Sequence, residues 1–228
     1  DEQSPFRVYN TPGTKTVTIT VTDTKGAYDT EPLRFFVAPK FANPQGLKNQ
    51  ARQMIEAAIG TYGNIEVEAQ IKKGKKHESS VDVEKGLTDI INYIDKSLDE
   101  RYWIDPLHVD PTKGDKVFNY EKGAVVKAQA LAKKVSGIPD LEGLDDILYD
   151  VIDLLVDADR ILAEVVLLEA ETVTPDVRRY ENYLESARRH YEKGVQYQEN
   201  DKPVSAINSF RTSWGFSQKI LDKYPYPQ

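Results

Sequence analysis

The 228 residues carry 30 Lys+Arg against 37 Asp+Glu, a net charge of −7, three histidines and no cysteine. An acidic balance argues against nucleic acid as a partner, and the missing cysteines exclude a disulfide framework and thiolate metal sites. No run of about 18 apolar residues occurs, so the sequence offers no membrane-spanning helix.

The chain opens on a β signal. Val17, Ile19 and Val21 alternate with Thr16, Thr18, Thr20 and Thr22, the period-2 pattern of a strand with one buried face. The segment from Asp23 to Gly26 supplies turn chemistry, with Gly26 free to take positive φ. A second alternating run follows at Leu33, Phe35 and Val37. Tyr9, Pro12, Gly13, Val17, Ile19, Val21, Asp23 and Gly26 fit the spacing of the late strands of a polycystic-kidney-disease (PKD) type domain. This part of the chain resembles that family, an Ig-like β-sandwich common in secreted and surface proteins. The resemblance implies an extracytoplasmic setting. The family's earlier strands have no counterpart here, so the expectation is a partial Ig-like antiparallel sheet over residues 1–40. Its open edge would be covered by the rest of the chain, by a second copy or by strands supplied from elsewhere.

Past Pro39, Pro44 and Gly46, which punctuate the exit from the β region, the pattern turns helical. Residues 41–228 are expected to form an all-α bundle of about six helices. The first spans 47–59, with Leu47, Ala51, Met54, Ile55, Ala58 and Ile59 on one face and Gly60 and Gly63 ending it. Residues 65–71 suit a short helix, and 72–80 are polar and glycine-containing. Residues 82–99 bring Leu87, Ile90, Ile91, Ile94 and Leu98 to helical spacing, and 116–135 form an alanine-rich helix stopped by Ser136-Gly137-Ile138-Pro139.

Residues 144–173 are the longest helix. Its apolar positions leave only a narrow polar stripe of Asp146, Asp150, Asp153 and Asp157, which places it at the bundle centre. Thr174 and Pro175 suit the N-cap and first turn of a helix running to about residue 198, and 204–223 form the last. In this final hairpin, Gly194, Tyr197, Ala206 and Phe210 fall at the small and aromatic positions of a tetratricopeptide unit, which it resembles. A lone unit of that kind builds no solenoid. The helical region as a whole resembles a module that recurs at the C-terminus of secreted and surface-attached prokaryotic proteins. The segments that carry this likeness are Ile94-Asp95-Lys96-Ser97-Leu98 leading to Tyr102-Trp103, and Ala206-Ile207 leading to Trp214.

The best place for chemistry is the connection 102–115. Asp105, His108, Asp110 and Asp115 gather there. Carboxylates beside an imidazole suit a divalent ion, Ca²⁺ through carboxylates and carbonyls or Zn²⁺ through His108. The competing reading is structural: Trp103, Ile104, Leu107 and Val109 anchor the connection, and Asp105 and Asp115 cap its turns. Other catalytic patterns fail. No histidine follows a glutamate by three residues, and no His-Glu-x-x-His, Gly-x-Ser-x-Gly or phosphate-binding glycine loop occurs. Glu164 and Glu169 are the one candidate carboxylate pair on a helix.

The functional expectation is a non-catalytic module of a secreted or cell-surface protein, acting in adhesion, spacing or assembly. Its partners would be other surface proteins or copies of itself. Two alternatives stand beside it. A row of exposed tyrosines and tryptophans would suit glycan or fibre binding as the accessory module of a secreted depolymerase. Ligands from Asp105, His108, Asp110 and Asp115 would suit ion-dependent binding.

Overall fold

A computed structural model describes residues 13–22, 25–26, 28–37, 43–65, 81–173 and 178–223. The PKD-like positions Tyr9, Pro12 and Asp23, the segment 66–80, Thr174 and Pro175 lie outside them.

Two strands, β1 (Gly13–Thr22) and β2 (Tyr28–Val37), pair antiparallel. Gly26, at φ 84°, supplies the left-handed turn residue between them. The register sets Val17 opposite Leu33, Lys15 opposite Phe35 and Gly13 opposite Val37. Directly opposed residues share a face and strand positions alternate. Val17, Ile19, Val21, Leu33, Phe35 and Val37 therefore occupy one face of the ribbon. β2 also comes close to the long helix α4.

Six helices follow: α1 (Pro44–Tyr62), α2 (Val83–Ser97), α3 (Asp115–Val135), α4 (Leu144–Val173), α5 (Arg178–Glu199) and α6 (Pro203–Leu221). The architecture is a short β region followed by an α bundle, as the periodicities predict. α1 begins earlier than its apolar face suggests. Pro44 and Gly46, expected to be loop punctuation, lie in its first turn, where proline loses no hydrogen bond and the Asn43 side chain accepts from Gly46 N at 2.6 Å. Gly60 does not stop the helix; the cap falls on Gly63. Pro203 likewise opens α6, one residue ahead of the expected start at 204.

α4 packs against α1, α3, α5 and α6, which accounts for its apolar circumference. Leu148, Val151, Leu155, Leu162 and Ala163 on it are fully buried. They join Ile55 of α1, Ile90 and Ile94 of α2, Phe118 and Val125 of α3 and Phe210 of α6 in one continuous core. The α5–α6 pair closes tightly because Gly194 meets Phe210: a Cβ on Gly194 would lie 2.5 Å from the Phe210 ring. The small-against-aromatic packing expected of the final hairpin is present there. On the outer surface, Arg52–Asp95 at 2.6 Å, Lys127–Asp89 at 2.9 Å and Arg188–Glu171 at 2.6 Å lace neighbouring helices.

Candidate functional site

The connection between α2 and α3 is a built structure and not an open loop. Glu100–Tyr102 forms a single 3₁₀ turn, and β3 (Trp103–Asp105) pairs with β4 (His108–Val109) in a minimal hairpin. Trp103 Nε1 donates to the carbonyl of Ser97 at 2.8 Å, and Tyr102 and Val109 are buried in the core. Gly114 is wedged between Val109 and Trp214: a Cβ there would collide with Val109 Cγ2 and stand 2.8 Å from Trp214 Cζ2. The apolar anchors expected of this segment thus hold it, with the exception of Ile104, which is 65% exposed.

The acidic residues of the connection separate into different tasks. Asp105 accepts from the backbone N–H of Leu107 at 2.7 Å and of His108 at 2.9 Å, tightening the hairpin turn. It also lies 2.8 Å from His108 Nδ1. The other ring nitrogen, Nε2, meets Glu169 Oε1 of α4 at 2.8 Å. With a carboxylate on each nitrogen, the ring is an imidazolium donating both protons. The hydrogen bond to Glu169 leads in raising its pKa to about 9 against the opposing effect of burial, and Asp105 adds to it. Asp110 instead accepts from Thr112 N at 2.8 Å and Thr112 Oγ1 at 2.6 Å, and these bonds hold its carboxyl below the usual range. Asp115 is the first residue of α3, where a carboxylate faces the positive end of the helix. Of the four candidate ligands, then, only Asp105 and His108 come together, and they are joined by Glu169. No group of three or more such side chains placed to hold a metal ion occurs among the described residues.

Glu164 and Glu169 do not form a pair. Glu169 serves His108, whereas Glu164 lies 3.8 Å from Arg160 and interacts with Tyr191.

A second constellation, absent from the motif reading, lies in the core. Lys48 of α1, Glu121 of α3 and Asp159 of α4 are each 0% exposed. Lys48 Nζ stands 2.7 Å from Glu121 Oε1 and 4.1 Å from the centroid of the Trp103 ring. Despite that short contact, Lys48 Nζ and both oxygens of Glu121 and of Asp159 lack a hydrogen bond of directed geometry. Burial first, and the neighbouring Glu121 second, push the Asp159 carboxyl well above the ordinary carboxylate range. That direction favours the neutral acid form of Asp159 in a core where a second bare charge beside Glu121 would be costly.

These three were legible as anomalies of pattern. Lys48 precedes Ala51 and Ile55 by three and seven residues, Glu121 follows Val117 and Phe118 by four and three, and Asp159 follows Leu155 by four. Each is a charged residue at a core position of its own helix.

The aromatic residues are mostly turned inward or half-covered. Tyr102 and Trp214 are buried, and Tyr93, Trp103, Tyr120, Tyr180, Tyr183, Tyr191 and Tyr197 are intermediate. Tyr149 is exposed, at 48%. Compared with known protein families, with curated proteins and with solved structures, the chain matches none.

Proposed function

We propose that the chain is a non-catalytic structural and interaction module of a larger secreted or cell-surface protein, acting in adhesion, spacing or assembly. The observation that carries this reading is the disposition of its reactive side chains. Lys48, Glu121 and Asp159 are sealed in the core, and both nitrogens of His108 are taken by carboxylates. Groups so engaged brace a body and offer no purchase to a soluble substrate. The extracytoplasmic setting rests on the PKD-like spacing and on the likeness of the helical region to modules of secreted and surface-attached prokaryotic proteins. The test is binding: light scattering on the purified chain and capture of partners from surface extracts. Self-association or a specific surface partner is expected; a strict monomer that captures nothing would sink the reading.

The glycan-binding alternative has less support, because it needs a row of exposed rings and, among the described side chains, Tyr149 is the one exposed tyrosine or tryptophan. On the preferred reading, calorimetry with Ca²⁺ or Zn²⁺ gives no heat above the buffer blank. A saturable signal lost in Asp105→Ala would replace that reading with an ion-dependent module at the β3–β4 hairpin, where Asp105 and His108 come together.

A further inference from the structure

We propose that Lys48 and Glu121 condense within the folded protein to form a side-chain amide, a covalent tie between α1 and α3, with Asp159 of α4 relaying the proton. The reacting groups are already in contact, Nζ to Oε1 at 2.7 Å, with both side chains 0% exposed. Reactants held in this way gain the large effective concentration of an intramolecular reaction. The Trp103 ring, 4.1 Å from Nζ, shields the amine.

Satisfaction of the polar atoms separates this site from an ordinary buried ion pair. A stable buried pair has its remaining lone pairs and protons engaged by further hydrogen bonds. Here five side-chain atoms of the trio lack a directed partner. Condensation removes the cause. It converts an ammonium and a carboxylate, both costly in a dry core, into one neutral amide and one water.

The step balances without oxidant or cofactor. A proton passes from the Lys48 ammonium to the Glu121 carboxylate, leaving a neutral amine and a carboxylic acid. The amine lone pair adds to Glu121 Cδ, and the Nζ–Cδ bond forms. Asp159, fully buried beside Glu121 and held toward its acid form by that burial, gives its proton to the departing oxygen and recovers one from the attacking nitrogen. One Cδ–O bond breaks, water leaves, and Asp159 ends in the state in which it began. Nothing turns over. The reaction happens once per chain, so it is compatible with a non-catalytic role and does not depend on it.

Such a bond would give a cysteine-free chain a cross-link between helices that no reductant can open. The decisive measurement is the intact mass of the full chain after denaturation. The expected value is one water below the sum of the sequence, with a branched peptide joining the segments around Lys48 and Glu121 on digestion. Asp159→Asn keeps the shape of the site and is expected to retain helical circular dichroism while showing the uncondensed mass, or losing water at least tenfold more slowly after refolding. A folded wild-type chain at full sequence mass would overturn the proposal and leave the trio a plain ion cluster. A branch mapping to Asp159 would overturn the choice of Glu121. Condensation at the wild-type rate in Asp159→Asn would overturn the relay. The wild-type mass needs no variant to fold, and none of these outcomes bears on partner binding.

Discussion

His108 is held between a turn residue three positions back and a carboxylate on the central helix, and this makes the small hairpin a pH-dependent brace. Its pKa is about 9 in the folded chain against an ordinary 6.5, so folding is favoured wherever the ring is charged in the native state. The contribution is complete below the unfolded value of 6.5 and is lost as pH rises through about 9. Solvent reaches part of the site, since Asp105 is 46% exposed and His108 28%. The loss is therefore expected to be roughly 1–2 kcal/mol, less than the full shift implies. Denaturant unfolding on either side of this window should show it. Glu169→Gln keeps the shape but removes the principal charge. In that variant the NMR titration of His108 should move toward the ordinary value and the alkaline loss of stability should shrink. An unchanged titration would show that Glu169 does not hold the ring. The sequence could propose Asp105 and His108 together because they are neighbours in one turn. It could not propose Glu169 as their partner, because that contact crosses 61 residues and depends on how α4 lies against the hairpin. Asp110, chemically the same kind of residue as Asp105, goes elsewhere because Thr112 offers it both a backbone and a hydroxyl donor.

At the scale of the element, helix existence was readable and helix starts were less so, for a local reason. Apolar periodicity reports only where a face is buried, whereas starts are set by caps outside that face. The Asp82 side chain accepts from Lys85 N at 2.9 Å and Asn43 from Gly46 N at 2.6 Å, and these two caps fix where α2 and α1 begin. Asp82→Ala and Asn43→Ala should each cost about 1 kcal/mol, read as a lower denaturation midpoint at unchanged slope. A larger cost would mean that these residues also hold tertiary contacts. The α5–α6 hairpin makes the opposite demand, the absence of a side chain. A methyl at position 194 would stand 2.5 Å and 2.6 Å from two ring carbons of Phe210, a residue with no exposed surface into which it could move. Gly194→Ala is therefore expected to destabilise by about 1–3 kcal/mol, although alanine is the better helix former. Glycine at this point was visible in the sequence as the small member of a small-and-aromatic pattern. The paired strands between α2 and α3 were not visible, because β3 and β4 are three and two residues long, too short for any alternation to declare itself.

The whole molecule joins two unequal parts. The helices and the segments between them build a buried apolar core of their own. The β part is a two-stranded ribbon whose register gathers six apolar positions on one face, and an isolated hairpin of that size is marginal in water. β2 comes near α4, so the bundle offers that ribbon a surface while carrying an extensive apolar core of its own. The asymmetry makes a prediction about cooperativity. A chain lacking residues 1–40 should keep the helical circular dichroism signal and unfold in one cooperative transition. Its stability should fall only by the cost of baring the α4 surface beside β2, about 1–3 kcal/mol if one or two large side chains are uncovered. The reciprocal piece, residues 1–40 alone, should show no cooperative transition. If the truncated bundle instead melts gradually, or collapses to a state with helix but no fixed packing, the boundary near residue 41 is wrong and the ribbon is part of one folding unit with α4.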